Sequence, residues 1–237
     1  SLDVMMKRMY GGVHCTLDET GDIYKFVQSM EKECKKLGVK FAYGKEVKAI
    51  KTEGDKVIGV EVDDEMWSAD RYVMCLGVHA GIHLSKIGVN LPIYPMKGYS
   101  VTVPTGAKYR APKGSVTDHG LKIVYTRHDA KTLRIAGTAE FAGYNFEVSQ
   151  DRIKAILDDA KRTFPDLGDY SKVETWSCLR PQTPQSTPII SNTKYANLVV
   201  NGGHGSLGWT QACGSARIAA DLVVGKKPAI DLTGFTL

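Results

Sequence analysis

The segment Asn201-Gly202-Gly203-His204-Gly205-Ser206-Leu207-Gly208-Trp209-Thr210 holds the residues best suited to chemistry. The run Asn197 to Asn201 reads as a buried strand leading into it, and a small-residue helix follows from about Thr210 to Val224, ended by Gly225. A strand that ends in a glycine loop and opens a helix leaves several N–H groups unpaired. It also turns the positive end of the helix dipole toward whatever lies above. Such a site favours anions. The glycines let another molecule approach the backbone, and Ser206 and Thr210 add hydroxyls. The loop suits a phosphate, or the N1/C2-carbonyl edge of a flavin, which becomes negative on two-electron reduction. It equally suits a plain turn that packs a helix tightly on a strand. It lacks the Lys-Ser/Thr pair of a nucleotide-phosphate loop.

Arg180 stands between the strand pattern Trp176-Ser177-Cys178-Leu179 and the rigid Pro181-Gln182-Thr183-Pro184. A guanidinium fixed at a strand end can grip a carboxylate through two parallel hydrogen bonds, or close a structural salt bridge. His204 could act as acid or base, but a histidine inside a glycine loop more often orients by hydrogen bonding, and no Ser or Cys nucleophile accompanies it. Hydrolysis is therefore discounted. Lys97-Gly98-Tyr99 could bring a cation and a phenol to a ligand, or serve as a solvated lysine and a packing tyrosine. Glu140, in Gly137-Thr138-Ala139-Glu140-Phe141, fits a role in holding a sheet or its ion pairs.

These groups need a scaffold. From Asp22 the residues Ile23, Phe26, Val27, Met30 and Leu37, with Cys34 between, keep helical spacing, and Gly38 sits where a left-handed cap would end the helix. Val39 to Tyr43 and Glu46 to Lys51 read as extended segments. Gly54-Asp55 reads as a turn, with Lys56 to Val62 returning as a strand. The run Tyr72 to Leu76 ends at Gly77, as a strand buried on both faces would, and a short helix is expected around His79 to Ser85. Between Pro92 and Gly143 short β-rich pieces (Tyr99 to Val103, Leu121 to Tyr125, Leu133 to Gly137) predict a separate antiparallel sheet. Ser149 caps a helix whose stripe Ile153, Ile156, Leu157 and Ala160 would cover that sheet until Phe164-Pro165 stops it.

Composition narrows the classes. The 237 residues are 43% hydrophobic and 24% charged, which excludes a disordered chain and suffices for one or two cores. The net charge of +5 is spread along the chain, which gives a nucleic-acid role little support. No apolar run approaches the roughly 18 residues needed to span a bilayer. The cysteines Cys15, Cys34, Cys75, Cys178 and Cys213 form no C-x-x-C pair and have no histidine at metal-ligand spacing, so free thiols, no metal and a reducing compartment are expected. That means the cytoplasm or an organelle matrix, with peripheral association to an inner membrane left open. The start, Ser1 to Lys7, lacks the features of a signal peptide and reads as the middle of a protein.

Taken in order, these segments resemble the later part of the FAD-dependent amino-acid oxidase superfamily, most closely the D-amino-acid dehydrogenase small-subunit type. Gly21-Asp22, the following helix and Gly38-Val39 are similar to the segment before the adenine-side strand. Asp70 to Gly77 resembles the strand and turn near the pyrophosphate, with Cys75-Leu76 in place of the usual Ala-Thr. Pro92 to Ser100 resembles the entry to the substrate domain, and Gly137 to Gly143 one of its central strands. Leu179-Arg180-Pro181-Gln182-Thr183-Pro184 with Thr187-Pro188 resembles Leu-Arg-Pro-x-Thr-Pro-Asp-Gly-x-Pro, with Gln185-Ser186 where Asp-Gly is usual. The most specific likeness is Gly203 to Thr210, continued by Cys213-Gly214-Ser215.

The resemblance implies an α/β fold: an incomplete Rossmann-like FAD-binding domain with an antiparallel-sheet substrate domain covered by helices. Residues 1–91 and 177–237 would belong to the FAD domain and 92–176 to the substrate domain. It implies that Val47 meets the adenine, Gly77 lies near the pyrophosphate, and Gly203, His204, Gly205, Ser206, Leu207, Gly208, Trp209 and Thr210 border the flavin ring. Arg180 would bind the carboxylate of an amino-acid substrate, with Tyr99 or Tyr125 as pocket wall. Hydride transfer from Cα to the flavin would deaminate a D-amino acid. The fingerprint G-x-G-x-x-G that should begin such a flavoprotein, in a βαβ unit with an acidic residue about 20 positions on, is missing, so the chain is expected to need an absent N-terminal half or a partner chain to hold FAD. The competing expectation is a non-catalytic interaction protein that keeps the fold without the cofactor.

Overall fold

The computed structural model describes residues 11–237, so the signal-peptide reading of Ser1 to Lys7 lies outside the described residues. The chain forms two compact units. One comprises the chain up to Gly38 together with Lys97–Cys178, the other Val39–Met96 and Leu179–Leu237.

The first unit is built on helix α1 (Ile23–Lys36), the five-stranded sheet and its covering helix. Asp22 starts α1 by accepting hydrogen bonds from the amides of Tyr24 and Lys25, and Gly38 follows its end at φ +86°. Its amphipathic pattern is as expected, yet none of its residues is buried: Ile23, Val27 and Met30 are 55%, 55% and 47% exposed. The sequence groups this helix with the FAD part; here Thr20–Asp22 shares a small cavity with Thr126–His128 of the sheet unit.

Numbered in chain order, the sheet strands are β5 (Tyr94–Pro104), β6 (Val116–Asp118), β7 (Ile123–Arg127), β8 (Thr132–Phe141) and β9 (Glu174–Gln182), arranged β6-β7-β8-β5-β9. The pairs β6/β7 and β7/β8 are antiparallel, with Tyr125 opposite both Val116 and Ile135. Odd-numbered residues face inward, as a period of two requires. Tyr99, Val101, Val103, Ile123, Tyr125, Leu133 and Ile135 form one core with Ile153, Ile156 and Ala160 of helix α3 (Gln150–Thr163). Ser149 caps that helix through the Arg152 amide. Each large aliphatic side chain removed from water in this layer contributes about 1.5–3 kcal/mol.

In the second unit β1 (Val47–Glu53), β2 (Lys56–Val62) and β3 (Glu65–Trp67) make an antiparallel ribbon, turned at Gly54 with φ +55°. Val39 to Tyr43, read as extended, carries no strand pairing. A second sheet has the order β10-β11-β4, from β10 (Ile189–Asn192), β11 (Leu198–Gly202) and β4 (Tyr72–Met74). Strands β11 and β4 run parallel, Val200 beside Met74, whereas β10 and β11 are antiparallel. The Asn197 side chain accepts from the Val57 amide and donates to the Val57 carbonyl, tying ribbon to sheet. Helix α4 (Gly208–Val223) lays Ile218 and Ala219 on Ile190. A 3-10 turn (Gly77–His79) and helix α2 (Ala80–Ser85) follow β4.

Strand β4 corrects the sequence reading. It is three residues long, and Val73 within it and Leu76 just beyond it stay 43% and 41% exposed where burial on both faces was expected. Among the described residues nothing supplies the second covering layer. No described helix is long and apolar enough to cross a membrane.

Candidate functional site

Because β11 and β4 run parallel, the residues that follow them emerge at the same edge of the sheet: Gly203 after β11, Gly77 after β4. Ligands of open α/β sheets gather at such carboxyl ends. Gly77 has φ +53°, and a Cβ there would meet nothing within 4 Å. Gly203 (φ +75°) and Gly205 (φ +53°) are confined: a Cβ would come to 2.7 Å from Cγ2 of Thr183 at the first and 2.5 Å from Oε1 of Gln182 at the second. The Gly205 amide donates to the Pro181 carbonyl at 2.9 Å, and Gln182 and His204 form a bridge, so the loop is stitched to the end of β9.

The loop turns its inner side to the protein and its outer side to solvent. Gly202 and Gly203 are buried, while Ser206, Leu207, Trp209 and Thr210 are exposed. Leu207, at the N-cap of α4, offers no side-chain acceptor to the first turn. A helix start left without a capping carboxylate or hydroxyl keeps its positive end for an external partner. The His204 side chain turns toward the protein: its Nε2 lies 2.8 Å from Oγ of buried Ser215, and burial pulls its pKa below the usual range, so the ring is neutral near pH 7. It orients the loop. Ser215, eleven residues on, escaped notice in the sequence because serine within a small-residue helix carries no signal of its own.

Arg180 is half-buried near the end of β9. It makes no ion pair or side-chain hydrogen bond with any described residue, in contrast to Arg152, Arg162 and Arg217, each of which meets an acid. Val47 opens the ribbon, which touches α2 beyond Gly77. Thus Val47, Gly77, Arg180 and Gly203–Thr210 all fall in one unit.

Tyr99 and Tyr125 do not join an open pocket wall. They are 1% and 0% exposed in the core under α3: Tyr125 packs edge-on against Phe164, and the Tyr99 hydroxyl donates to Glu140 at 2.7 Å. Their odd positions put them on the inner sheet face, which apolar packing claims first. Glu140 also accepts from Arg152 and faces the ammonium of Lys97, which is 2% exposed and donates to Asn145, so Glu140 does hold the sheet through ion pairs. The Tyr99 hydrogen bond is the main cause that keeps this carboxyl below its ordinary pKa, with Arg152 and Lys97 adding to it.

The profile of the family described as "DAO: FAD dependent oxidoreductase" matches residues 2–222. The chain belongs to this FAD-dependent oxidoreductase family. A D-amino acid dehydrogenase of Granulibacter bethesdensis is 42% identical over 223 residues, 94% of this chain and 53% of that protein. Another from Chromohalobacter salexigens is 42% identical over 228 residues, 96% of the chain and 54% of that protein. Iminodiacetate oxidase from Chelativorans sp. BNC1 superposes with a TM-score of 0.79 at 19% identity, covering 89% of the chain and 57% of its own, which shows a common fold. The chain spans about half the length of the curated relatives it matches. Family membership implies FAD, and the residues fit one end of it: two glycines at positive φ and an uncapped helix start suit the pyrimidine edge of a flavin. The spacing G-x-G-x-x-G occurs at Gly203 to Gly208, but no described strand follows helix α4, so it is not the opening of a βαβ pyrophosphate unit.

Proposed function

We propose that this chain forms the substrate-binding and flavin-edge portion of a D-amino-acid dehydrogenase, which oxidises a D-amino acid to the imino acid that then hydrolyses to a keto acid. FAD, when bound, would accept the hydride from Cα, and with it both electrons of the oxidation, while the nitrogen gives up a proton. This chain's residues orient and polarise. Arg180, with both edges of its guanidinium unclaimed, binds the substrate carboxylate, which fixes Cα. The start of α4 and the Gly203–Gly205 backbone face the ring edge where negative charge develops, a stabilisation in place before reaction. Neutral His204 holds that loop to Ser215 and neither gives nor takes a proton. The substrate amine reacts in its neutral form, so no strong base is needed. The remaining half, in the same polypeptide or a separate one, carries the pyrophosphate site.

The observation that supports this reading is Arg180, a half-buried arginine beside the glycine loop with no acid bound to it. The test supplies the N-terminal half and follows flavin absorbance and dye reduction with D-alanine. The expected result is bound flavin and D-alanine-dependent reduction, with Arg180→Lys raising KM far more than it lowers kcat. A complete protein that holds flavin but leaves it oxidised with every D-amino acid tried would end the proposal.

A further inference from the structure

A second arginine on the sheet unit is placed for an anion. Leu133 and Ile135 point into the core beneath α3, so Arg134 between them lies on the opposite face. Its guanidinium crosses β5 above the small side chain of Ser100, donates from Nε to the Ser100 hydroxyl at 3.1 Å, and reaches the Trp176 ring on β9 with 4.6 Å to the centroid. Ser100 is 2% exposed and Trp176 51%, so the arginine rests on a buried hydroxyl and an open indole. Burial lowers its pKa, the direction that marks an uncompensated charge. Among the described residues none forms an ion pair with it, and neither Nη donates to an acceptor. Glu174 shares the parity of Trp176 on β9 but makes no ion pair with any described residue. Elsewhere in this unit Arg152 and Arg162 are both neutralised by carboxylates.

We propose that Arg134, held by Ser100 and Trp176, is a binding site for the carboxylate of a small organic acid, which its two free Nη groups take in bidentate fashion. Ser100 and Trp176 fix the plane and azimuth of the guanidinium, so little side-chain entropy is lost on binding. This site is additional to Arg180 and depends on neither flavin nor turnover. Its failure would leave the reading of Arg180 standing, and the converse also holds.

The test is a titration of the 237-residue chain with sodium propanoate at constant ionic strength, against propanamide as the neutral isostere and sodium chloride as the salt control. The Arg134 Nε–H and Trp176 indole N–H resonances are followed by NMR, assigned from Arg134→Lys and Trp176→Phe. Propanoate is expected to shift both saturably, with a dissociation constant on the order of 1 mM, propanamide and chloride to shift neither, and Arg134→Lys to weaken binding about tenfold or more. A linear response, or an equal one to chloride, overturns the proposal. So does a shift that tracks protein concentration in place of propanoate, since the carboxylate would then come from another copy. The wild-type titration decides the matter even if a variant does not fold.

Discussion

Nε2 of His204 and Oγ of Ser215 meet at 2.8 Å, joining the glycine loop to the second turn of helix α4. Ser215 is 5% exposed, so the pair replaces contacts with water that neither group could otherwise make. Ser215→Ala should lower stability by about 1 kcal/mol, read from urea unfolding at pH 7.5. The pair also predicts a pH effect. Burial depresses the His204 pKa, so between its folded value and the unfolded value of about 6.5 the unfolded chain binds more protons. Stability from this group is therefore full above pH 6.5 and falls as the pH drops through and below it. His83, depressed mainly by burial as well, acts in the same direction. His204→Gln should flatten part of the slope between pH 7 and 5; an unchanged slope would show that the imidazole titrates freely.

The glycines at the sheet edge differ in what confines them, which ranks their substitutions. At Gly77 an alanine pays only for the left-handed conformation, about 1–2 kcal/mol, because the space beside it is open. At Gly203 the same backbone penalty is joined by a 2.7 Å contact with Thr183, whose 3% exposure leaves it no room to yield. Gly205 lies between, since its obstacle is the end of a flexible glutamine. Thermal midpoints should fall in the order Gly203→Ala, Gly205→Ala, Gly77→Ala, the first being lowest. Equal losses at Gly77 and Gly203 would mean that Thr183 moves aside.

The sequence reveals elements whose signal is local and hides choices made by packing between distant segments. The period-two alternation at Leu133 and Ile135 and the stripe Ile153, Ile156, Ala160 locate the sheet and its cover, because one residue type per face is all the core demands. The glycine loop is legible because backbone conformation restricts residue type there. Tyr99 and Tyr125 mislead because a phenol reads alike on either face until strand parity is known. Applied to β8, that parity also isolates Arg134, an arginine flanked by core aliphatics with no nearby acid. Strand β4 misleads in another way: its apolar run calls for layers on both faces, and the described residues provide one.

The cluster around Glu140 predicts an asymmetry. Glu140 accepts from Tyr99 and Arg152 and faces Lys97, whereas Lys97 donates to the neutral side chain of Asn145. Glu140→Gln strands two cations against a neutral amide. Lys97→Met leaves Glu140 with two donors and Asn145 Oδ1 still bonded to the Glu147 amide. Removing the anion should therefore lower the urea midpoint more than removing the buried cation, since a lone buried charge costs more than a lost pair. The carboxyl is held below its ordinary pKa, so its contribution is present above about pH 4.5 and disappears as pH falls through the depressed value. The reverse ranking of the two variants would place the weight of the cluster on Lys97.

Helix α1 predicts association. Ile23, Val27 and Met30 follow the i, i+4, i+7 spacing of one stripe, and all remain about half exposed or more. Single exposed apolar residues are ordinary, but a stripe along a well-capped helix is what a second surface normally covers. The chain alone should therefore self-associate, with a light-scattering mass that rises with concentration. Val27→Asp with Met30→Glu puts two charges on the stripe while leaving the Asp22 cap intact, and should restore the mass of one chain without loss of helical circular dichroism. If the unaltered chain stays monodisperse at a single-chain mass across a hundredfold range of concentration, the stripe is not an interface, and the absence of buried residues in α1 would need another cause.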